Sequence, residues 1–123
     1  MKITDLLKPQ AIDLSAPSCN KEEAVSRLVD LMVASGKISD PKKYREAVFA
    51  REAMGSTGIG EGVAIPHAKT DAVKEPGLSV MVSKDGIDFD ALDGQPVHLL
   101  FLIAAPDTQE NVHLDLLGKL SVL

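Results

Sequence analysis

His67 is the residue of this sequence whose setting best suits a reactive side chain. It follows an apolar run at 63–65 and Pro66, and it precedes Ala68, whose small side chain leaves the imidazole accessible. We predict a strand that ends before His67 and a loop that carries it, since reactive groups of open α/β sheets often lie in loops after strand ends. A neutral imidazole is a competent nucleophile near pH 7 and can carry a covalent intermediate.

A glycine-rich segment at 55–60 precedes this histidine. It offers backbone N–H groups and the hydroxyls of Ser56 and Thr57, which together suit an anion. The combination predicts a phosphoryl group held on His67. Nucleotide signatures fail here, because Glu61 stands where a P-loop needs lysine and the glycine spacing is one residue short of the dinucleotide fingerprint. We therefore expect neither ATP nor NAD.

Arg51 and His113 are further candidates, because each places a polar group on an apolar helix face. Arg51 follows Tyr44 and Val48 at helical spacing, so it shares the inward stripe of its predicted helix and needs an anionic partner. The alternative is that Arg51 extends to solvent from the last turn and complements the helix dipole. His113 shares its face with three leucines of a later helix, where a hydrogen-bonded core histidine is the alternative. We assign no role to His98, at the start of a predicted strand.

Metal chemistry is the weaker alternative for these residues. His67, His113 and Asp115 could ligate zinc. The sequence contains no H-E-x-x-H segment, however, and it has only one cysteine, Cys19. We expect no metal and no cofactor. A metal-dependent hydrolase would instead contain stoichiometric zinc.

Composition and charge limit the function classes. The 123 residues, 45% of them apolar, fit one domain with one core. A net charge of −5, and no basic run longer than Lys42-Lys43, argue against nucleic-acid binding. The longest mainly apolar run, 97–105, contains His98 and is too short to span a bilayer, and the first residues lack the apolar core of a signal peptide. We expect a soluble chain in a reducing cytoplasm, without direct membrane insertion.

Two helices are predicted in the first half of the chain. Asn20 and Glu23 resemble a capping box that starts a helix over 21–35. Asp40-Pro41 starts a second helix, which ends near Met54.

Short apolar runs predict strands at 63–65, 78–82 and 97–104, and a third helix begins near His113. Consecutive apolar residues in the last two strands favour a sheet that is buried on both faces. The expected fold is an α/β single-domain sandwich, a mixed β-sheet covered by helices on both faces. Because the last helix stops at Leu123 without a C-cap, we expect one domain over 1–123 that is truncated at its C-terminal end.

Three stretches form a recognisable pattern: Glu52, then Ile59-Gly60, then VAIPHA over 63–68. Their spacing resembles the phosphorylation-site signature of the enzyme IIA domains, fructose/mannitol class (type 2), of the bacterial phosphoenolpyruvate-dependent sugar phosphotransferase system. The segments REAMGSTGIG over 51–60, DFDALDGQPVHLLFLIAAP and NVHLDLLGKLS extend the resemblance over nearly the whole chain.

By this resemblance, His67 would be the phosphorylated residue, and Arg51 and His113 would line the phosphoryl group. The implied activity is that of a phosphotransferase with a phosphohistidine intermediate. It would accept the group from phospho-HPr and pass it to an enzyme IIB domain for fructose-type sugar uptake. Two different proteins must reach the same residue in turn, so we expect a shallow site with an apolar rim. Positioning and charge stabilisation suffice for such transfer, without metal or nucleotide.

The resemblance leaves one alternative open. A nitrogen-type regulatory enzyme IIA module uses an equivalent histidine and signals by phosphorylation-dependent partner binding. In both interpretations the domain is cytoplasmic, either alone or tethered to the membrane through fused permease domains.

Overall fold

A computed structural model of the protein describes residues 6–17, 19–107 and Gly118. Two helices and six strands lie within these residues. In chain order they are β1 (Leu7–Asp13), α1 (Lys21–Ala34), α2 (Pro41–Ala53), β2 (Gly58–Gly60), β3 (Val63–Ala64), β4 (His67–Lys69), β5 (Gly77–Ile87) and β6 (Val97–Ala105).

The six strands form one mixed sheet in which β6 has the most partners. The strand order is β1-β5-β6-β3-β2, and β4 also pairs with β6. β5 and β6 are antiparallel, whereas β1 pairs parallel with β5, and β3 and β4 both pair parallel with β6. β3 meets β6 at 99–100 and β4 meets it at 103–105, so the two short strands follow one another along one edge of β6. The prediction of a mixed sheet in one α/β domain is confirmed.

α1 begins where the capping box predicts it. Asn20 Oδ1 accepts from the backbone N–H of Glu23 at 2.8 Å, and the Glu23 carboxylate accepts from Asn20 Nδ2 at 2.9 Å. The helix ends before Gly36, whose φ of 81° favours a residue without Cβ. Its inward face is buried and consists of Ala24, Val25, Leu28, Val29 and Met32. The predicted helix over 21–35 is confirmed to within one residue.

α2 begins at Pro41 after the N-cap residue Asp40, whose carboxylate accepts from a backbone N–H of the first turn at 3.1 Å. Proline suits this first position because its missing N–H would have no partner within the helix. Tyr44 and Val48 are buried on the inward face, and Met54 is the C-cap. The predicted second helix is confirmed as well.

Both described helices pack against one face of the sheet. The strand residues that share their buried cluster include Met81, Ile87, Val97, Leu100, Leu102 and Ala104. Alternate residues of the same strands belong to a second apolar cluster, on the opposite face: Leu78, Val80, Leu99, Phe101 and Ile103. The predicted third helix near His113 lies outside the described residues, so the cover of this second face stays a prediction. Neither α1 nor α2 is long and apolar enough to cross a bilayer.

The sequence patterns predicted only some of the strands. All three predicted strands are present, although the one predicted at 63–65 is shorter as β3 and the one at 78–82 is longer as β5. β1, β2 and β4 were not predicted. Lys8 and Pro9 interrupt the apolar pattern of β1, and β2 has three residues of which two are glycine. β4 is extended because it pairs with β6, and its own composition does not favour a strand.

Tyr44 connects α2 to β6 through one buried hydrogen bond. Its hydroxyl donates to the carbonyl oxygen of Ile103 at 3.1 Å, and burial raises the pKa of the phenol, so the donor stays protonated. We expect Tyr44→Phe to lower the free energy of unfolding by about 1 kcal/mol, because it removes the hydrogen bond and keeps the ring. Urea denaturation measures this loss.

Tyr44→Leu is the comparison for this prediction. It also removes ring volume from a fully buried position, so it should lower the unfolding free energy further. If Tyr44→Phe unfolds at the same urea concentration as the parent, the hydrogen bond does not stabilise the fold.

Candidate functional site

An open depression of about 490 Å³ lies between the C-terminal half of α2 and β4. It is lined by Ala47, Ala50 and Arg51 from α2, by the C-cap residue Met54, and by His67, Ala68 and Lys69 from β4. The alanines and Met54, which is 84% exposed, make much of the lining apolar. This shape agrees with the shallow site and apolar rim expected where two proteins must reach one residue.

His67 is the first residue of β4 and does not lie in a loop. It is half-buried and pairs in parallel register with Ile103 of β6. The prediction of a loop is wrong because β6 is longer than β3. Residues 103–105 of β6 extend past β3, and the chain after Pro66 pairs with them as β4. Strand pairing restrains the backbone of His67 more than a loop would.

One nitrogen of the His67 ring has a backbone partner. Nδ1 lies 2.9 Å from the carbonyl oxygen of Ile65. Because a carbonyl oxygen only accepts, this contact is a hydrogen bond when Nδ1 carries the hydrogen. A neutral ring in that tautomer has its nucleophilic lone pair on Nε2.

Arg51 lies in the last turn of α2 and lines the same depression as His67. Its Nη1 donates to the carbonyl oxygen of Gly55 at 2.9 Å, which holds the guanidinium against the turn that follows the helix. The cation lies at the negative end of the helix dipole, as the alternative interpretation expects. That Arg51 pairs with an anion at His67 stays a prediction.

Lys69 also lines the depression, although no sequence pattern predicts a role for it. It follows His67 by two residues, the spacing that places two side chains on the same side of a strand. This signal was missed because β4 itself was not predicted. With Arg51 from α2 and Lys69 from β4, two elements contribute positive charge to the depression.

His113 and Asp115 lie outside the described residues. The position of His113 beside His67 therefore stays a prediction, and so does the zinc alternative that used both residues. Among the residues that the structure describes, no group of three or more His, Cys, Asp or Glu side chains could hold a metal ion.

The glycine-rich segment does not form the predicted anion site. The Ser56 hydroxyl donates to the carbonyl oxygen of Phe89 and accepts from the backbone N–H of Gly58, both at 3.0 Å. The hydroxyl and the backbone N–H of Thr57 both donate to the carboxylate of Glu52. These donors are used within the protein, so the prediction that they bind the phosphoryl group is wrong.

The carboxylate of Glu52 is buried and connects three segments. Its side chain is 5% exposed, and Oε2 lies 2.9 Å from Nζ of Lys21, the first residue of α1. The same oxygen accepts from the backbone N–H of Thr57 at 3.3 Å, just before β2. Nζ of Lys21 also lies 4.9 Å from the ring centroid of Phe89, a cation–π distance. Glu52 is the first residue of the motif that continues with Ile59-Gly60 and 63–68. The motif does not predict that its carboxylate is buried, because the burial arises where the start of α1, the end of α2 and the turn before β2 pack together.

The sequence model of the family described as "Phosphoenolpyruvate-dependent sugar phosphotransferase system, EIIA 2" matches residues 5–123. The chain belongs to this family. The resemblance that the motifs indicate is confirmed, and the chain is an EIIA domain of the fructose/mannitol class.

Two curated relatives are similar over almost all of this EIIA domain. The PTS system fructose-specific EIIABC component of Bacillus subtilis (strain 168) is 48% identical over 123 residues, which are 100% of this chain and 19% of that protein. The PTS system fructose-specific EIIA component of Haloferax volcanii is 42% identical over 124 residues, covering 98% of this chain and 80% of that protein. The chain thus spans about a fifth of the length of the first relative.

Two solved structures share the fold of this EIIA domain. The nitrogen regulatory protein IIA-Ntr from Neisseria meningitidis superposes with a TM-score of 0.86 at 32% identity, covering 95% of this chain and 80% of that one. The mannitol enzyme IIA in the complex with phosphorylated mannitol enzyme IIB from Escherichia coli superposes with a TM-score of 0.81 at 26% identity, covering 94% and 78%. The predicted α/β sandwich is confirmed by these neighbours.

The Lys21–Glu52 ion pair should be important for stability. We expect Lys21→Met to lower the free energy of unfolding by about 3 kcal/mol, because it leaves a buried carboxylate without its cation. Urea denaturation followed by far-UV circular dichroism measures the loss.

Lys43→Met is the matched control. It removes the same group from the first turn of α2, where Lys43 pairs with Asp71 at 2.5 Å and both side chains are more than half exposed. Exposed pairs contribute little, so this variant should unfold close to the parent. Equal losses in the two variants would contradict a special role for the buried pair.

Proposed function

We propose that this EIIA domain is a phosphocarrier of the sugar phosphotransferase system. It accepts a phosphoryl group from phospho-HPr on His67 and passes it to an enzyme IIB domain for fructose-type sugar uptake. The observation that carries the proposal is the position of His67 in an open depression beside Arg51, with Nδ1 directed to the carbonyl of Ile65. The fructose-specific names of the two curated relatives support the choice of sugar class.

The transfer needs no net proton movement at His67. The lone pair of Nε2 attacks the phosphorus of the donor phosphohistidine, the new P–N bond forms at Nε2, and the old P–N bond breaks with its electron pair returning to the donor nitrogen. The His67 ring becomes positively charged in this step, and the carbonyl of Ile65 faces that charge at Nδ1. In the second step an enzyme IIB nucleophile takes the phosphoryl group, and the lone pair returns to Nε2.

Positive charge beside the ring stabilises the phosphoryl group. A cation about 4 Å from a unit negative charge near a protein surface contributes roughly 4 kcal/mol before desolvation is subtracted. Arg51 and Lys69 line the depression and can act in this way, and His113 would donate a hydrogen bond by the resemblance. All three act best on the transition state, in which charge spreads over the equatorial oxygens.

Two proteins must contact this site in turn. The depression is open, and the exposed Met54 provides an apolar contact at its rim. The solved complex of mannitol enzyme IIA with phosphorylated enzyme IIB supports an enzyme IIB domain as one partner. In a fused protein such as an EIIABC component, the domain would be cytoplasmic and tethered to the membrane through the other components.

A regulatory function is the second candidate, and the 32% identity to the nitrogen regulatory protein IIA-Ntr favours it. In that case the domain would still be phosphorylated on His67 but would signal through partner binding. Transfer of label from the phosphorylated domain to a fructose-type enzyme IIB domain distinguishes the two functions. Rapid transfer supports transport, and retention of the label supports regulation.

We expect incubation with phosphoenolpyruvate, enzyme I and HPr to add one acid-labile phosphoryl group, which His67→Ala should remove. His98→Ala is the matched control, since His98 is exposed and its Nδ1 lies 3.0 Å from the carbonyl oxygen of Ser83, on another part of the sheet. Intact-mass measurement before and after mild acid counts the groups. Labelling that persists in His67→Ala would refute the assignment.

Arg51→Ala and His113→Ala should each slow phosphorylation by roughly 10²-fold or more, because each removes a group proposed to stabilise charge in the transition state. Both variants should leave the fold largely intact. Arg45→Ala is the control on the same helix, where Arg45 pairs with Asp30 at 2.7 Å away from the depression. Rapid-quench kinetics with phospho-HPr measure the rates. Parent rates in both site variants would contradict their proposed roles.

A further inference from the structure

The buried carboxylate of Glu52 has no direct part in the chemistry proposed for His67. It does not line the depression, and its partners are Lys21 and Thr57. A buried charge costs free energy unless it is paired and hydrogen-bonded, so such a residue is expected to have a structural or functional reason.

A series of hydrogen bonds leads from Glu52 to the ring of His67. Thr57 donates to the carboxylate through its hydroxyl and through its backbone N–H, the latter at 3.3 Å. The carbonyl of Thr57 then accepts from the backbone N–H of Ile65 at 3.0 Å. The carbonyl of Ile65 lies 2.9 Å from Nδ1 of His67. Four residues from α2, the following turn, the β3–β4 link and β4 are thus connected by direct contacts.

The coupling along this series is positional. The N–H and the C=O of Thr57 belong to different peptide groups, as do those of Ile65, so polarisation does not pass straight through either residue. What each bond fixes is the location of the next acceptor. Since β2 and β3 pair through Gly58 and Ala64, a shift of Thr57 would move the strand pair that leads to Ile65.

We propose that Glu52 is a positioning residue for His67. Through Thr57, Glu52 fixes the place of the Ile65 carbonyl. The His67 ring then carries its hydrogen on Nδ1 and presents Nε2 to the phosphoryl donor. The opposite tautomer would direct a nitrogen lone pair at the carbonyl oxygen, which is repulsive. Arg51 is the neighbour of Glu52 on the last turn of α2, so the same carboxylate also restrains the helix end that carries the cation. The consequence of the tautomer for phosphoryl transfer rests on the proposed function. The tautomer itself does not, because it is a property of the unphosphorylated protein.

Long-range ¹H–¹⁵N spectra of the histidine-labelled domain report the tautomer of each ring. They are recorded at pH about 8, above the ordinary histidine pKa of about 6.5, so that an ordinary ring is neutral. We expect the Nδ1–H form to dominate for His67 in the parent. In Glu52→Gln and in Thr57→Val, the ratio of the Nδ1–H to the Nε2–H form should fall by roughly fivefold, the ratio that corresponds to one net hydrogen bond.

Two controls separate positioning from stability and from charge. Lys21→Met removes the cation of the same buried pair but keeps the Glu52–Thr57 contact, so it should destabilise the fold and leave the tautomer ratio of His67 unchanged. Glu46→Gln makes the same charge change at an exposed position of α2 and should alter neither. The ring of His98 serves as an internal reference in every spectrum.

The outcomes are distinguishable. An unchanged tautomer ratio in folded Glu52→Gln and Thr57→Val overturns the proposal, and so does a change of equal size in Lys21→Met. If Glu52→Gln does not fold, Thr57→Val decides alone, because it replaces one hydroxyl by a methyl group of similar volume. A parent domain that shows the Nδ1–H tautomer but takes no label from phospho-HPr would refute the proposed function and leave the positioning inference standing.

Discussion

The burial of one carboxylate is the constraint on which the arrangement of this site depends. Glu52 is almost completely removed from solvent, and a charge in that position is stable only while cationic and hydrogen-bonding partners surround it. Those partners come from the start of α1 and from the turn before β2, while Glu52 itself comes from the end of α2. The start of α1, which is distant in sequence, must therefore meet the end of α2 and the turn that follows it at one point, and Arg51 is carried to the edge of the depression by the same helix turn.

The second constraint is the edge of β6, which explains the order of residues in the A-I-P-H stretch. Ala64 ends β3 and Pro66 has no N–H, so the hydrogen-bonding pattern along β6 is interrupted between β3 and β4. The Pro66 carbonyl still accepts from Ile103 at 3.0 Å, which restores the pairing for β4. Ile65 directs its N–H to Thr57 and its carbonyl to His67, and its side chain joins the second apolar cluster. Each residue thus has a physical role in presenting the imidazole.

Local signals predicted the helices well and the site only in part. The caps Asn20 and Asp40 act within a single turn, so both helix starts could be read directly from the sequence. β4 and the burial of Glu52 depend on pairing and packing between distant segments, which no local pattern encodes. Lys69 was missed for the same reason. The hydroxyls of Ser56 and Thr57 suited an anion by composition, but neighbouring acceptors within the fold engage them first. His67 was predicted from its setting and Arg51 from helical spacing, the resemblance implied their roles, and the structure shows that α2 and β4 bring both to one depression.

The proposed chemistry at His67 uses few groups, and the same groups would serve transport and regulation equally well. The choice between those functions must then depend on the surface that a partner contacts around the depression. Arg51 and Lys69 make that surface locally positive, although the whole chain has a net charge of −5. In the proposed function, these two cations would attract the phosphoryl group of a phosphorylated partner toward the depression, against the overall negative charge of the chain. Exposed Met54 would add an apolar contact to such a partner, and this contact would be short-ranged and insensitive to salt. In that function, charge would favour any phosphorylated donor, whereas shape and apolar contact at the rim would select among partners.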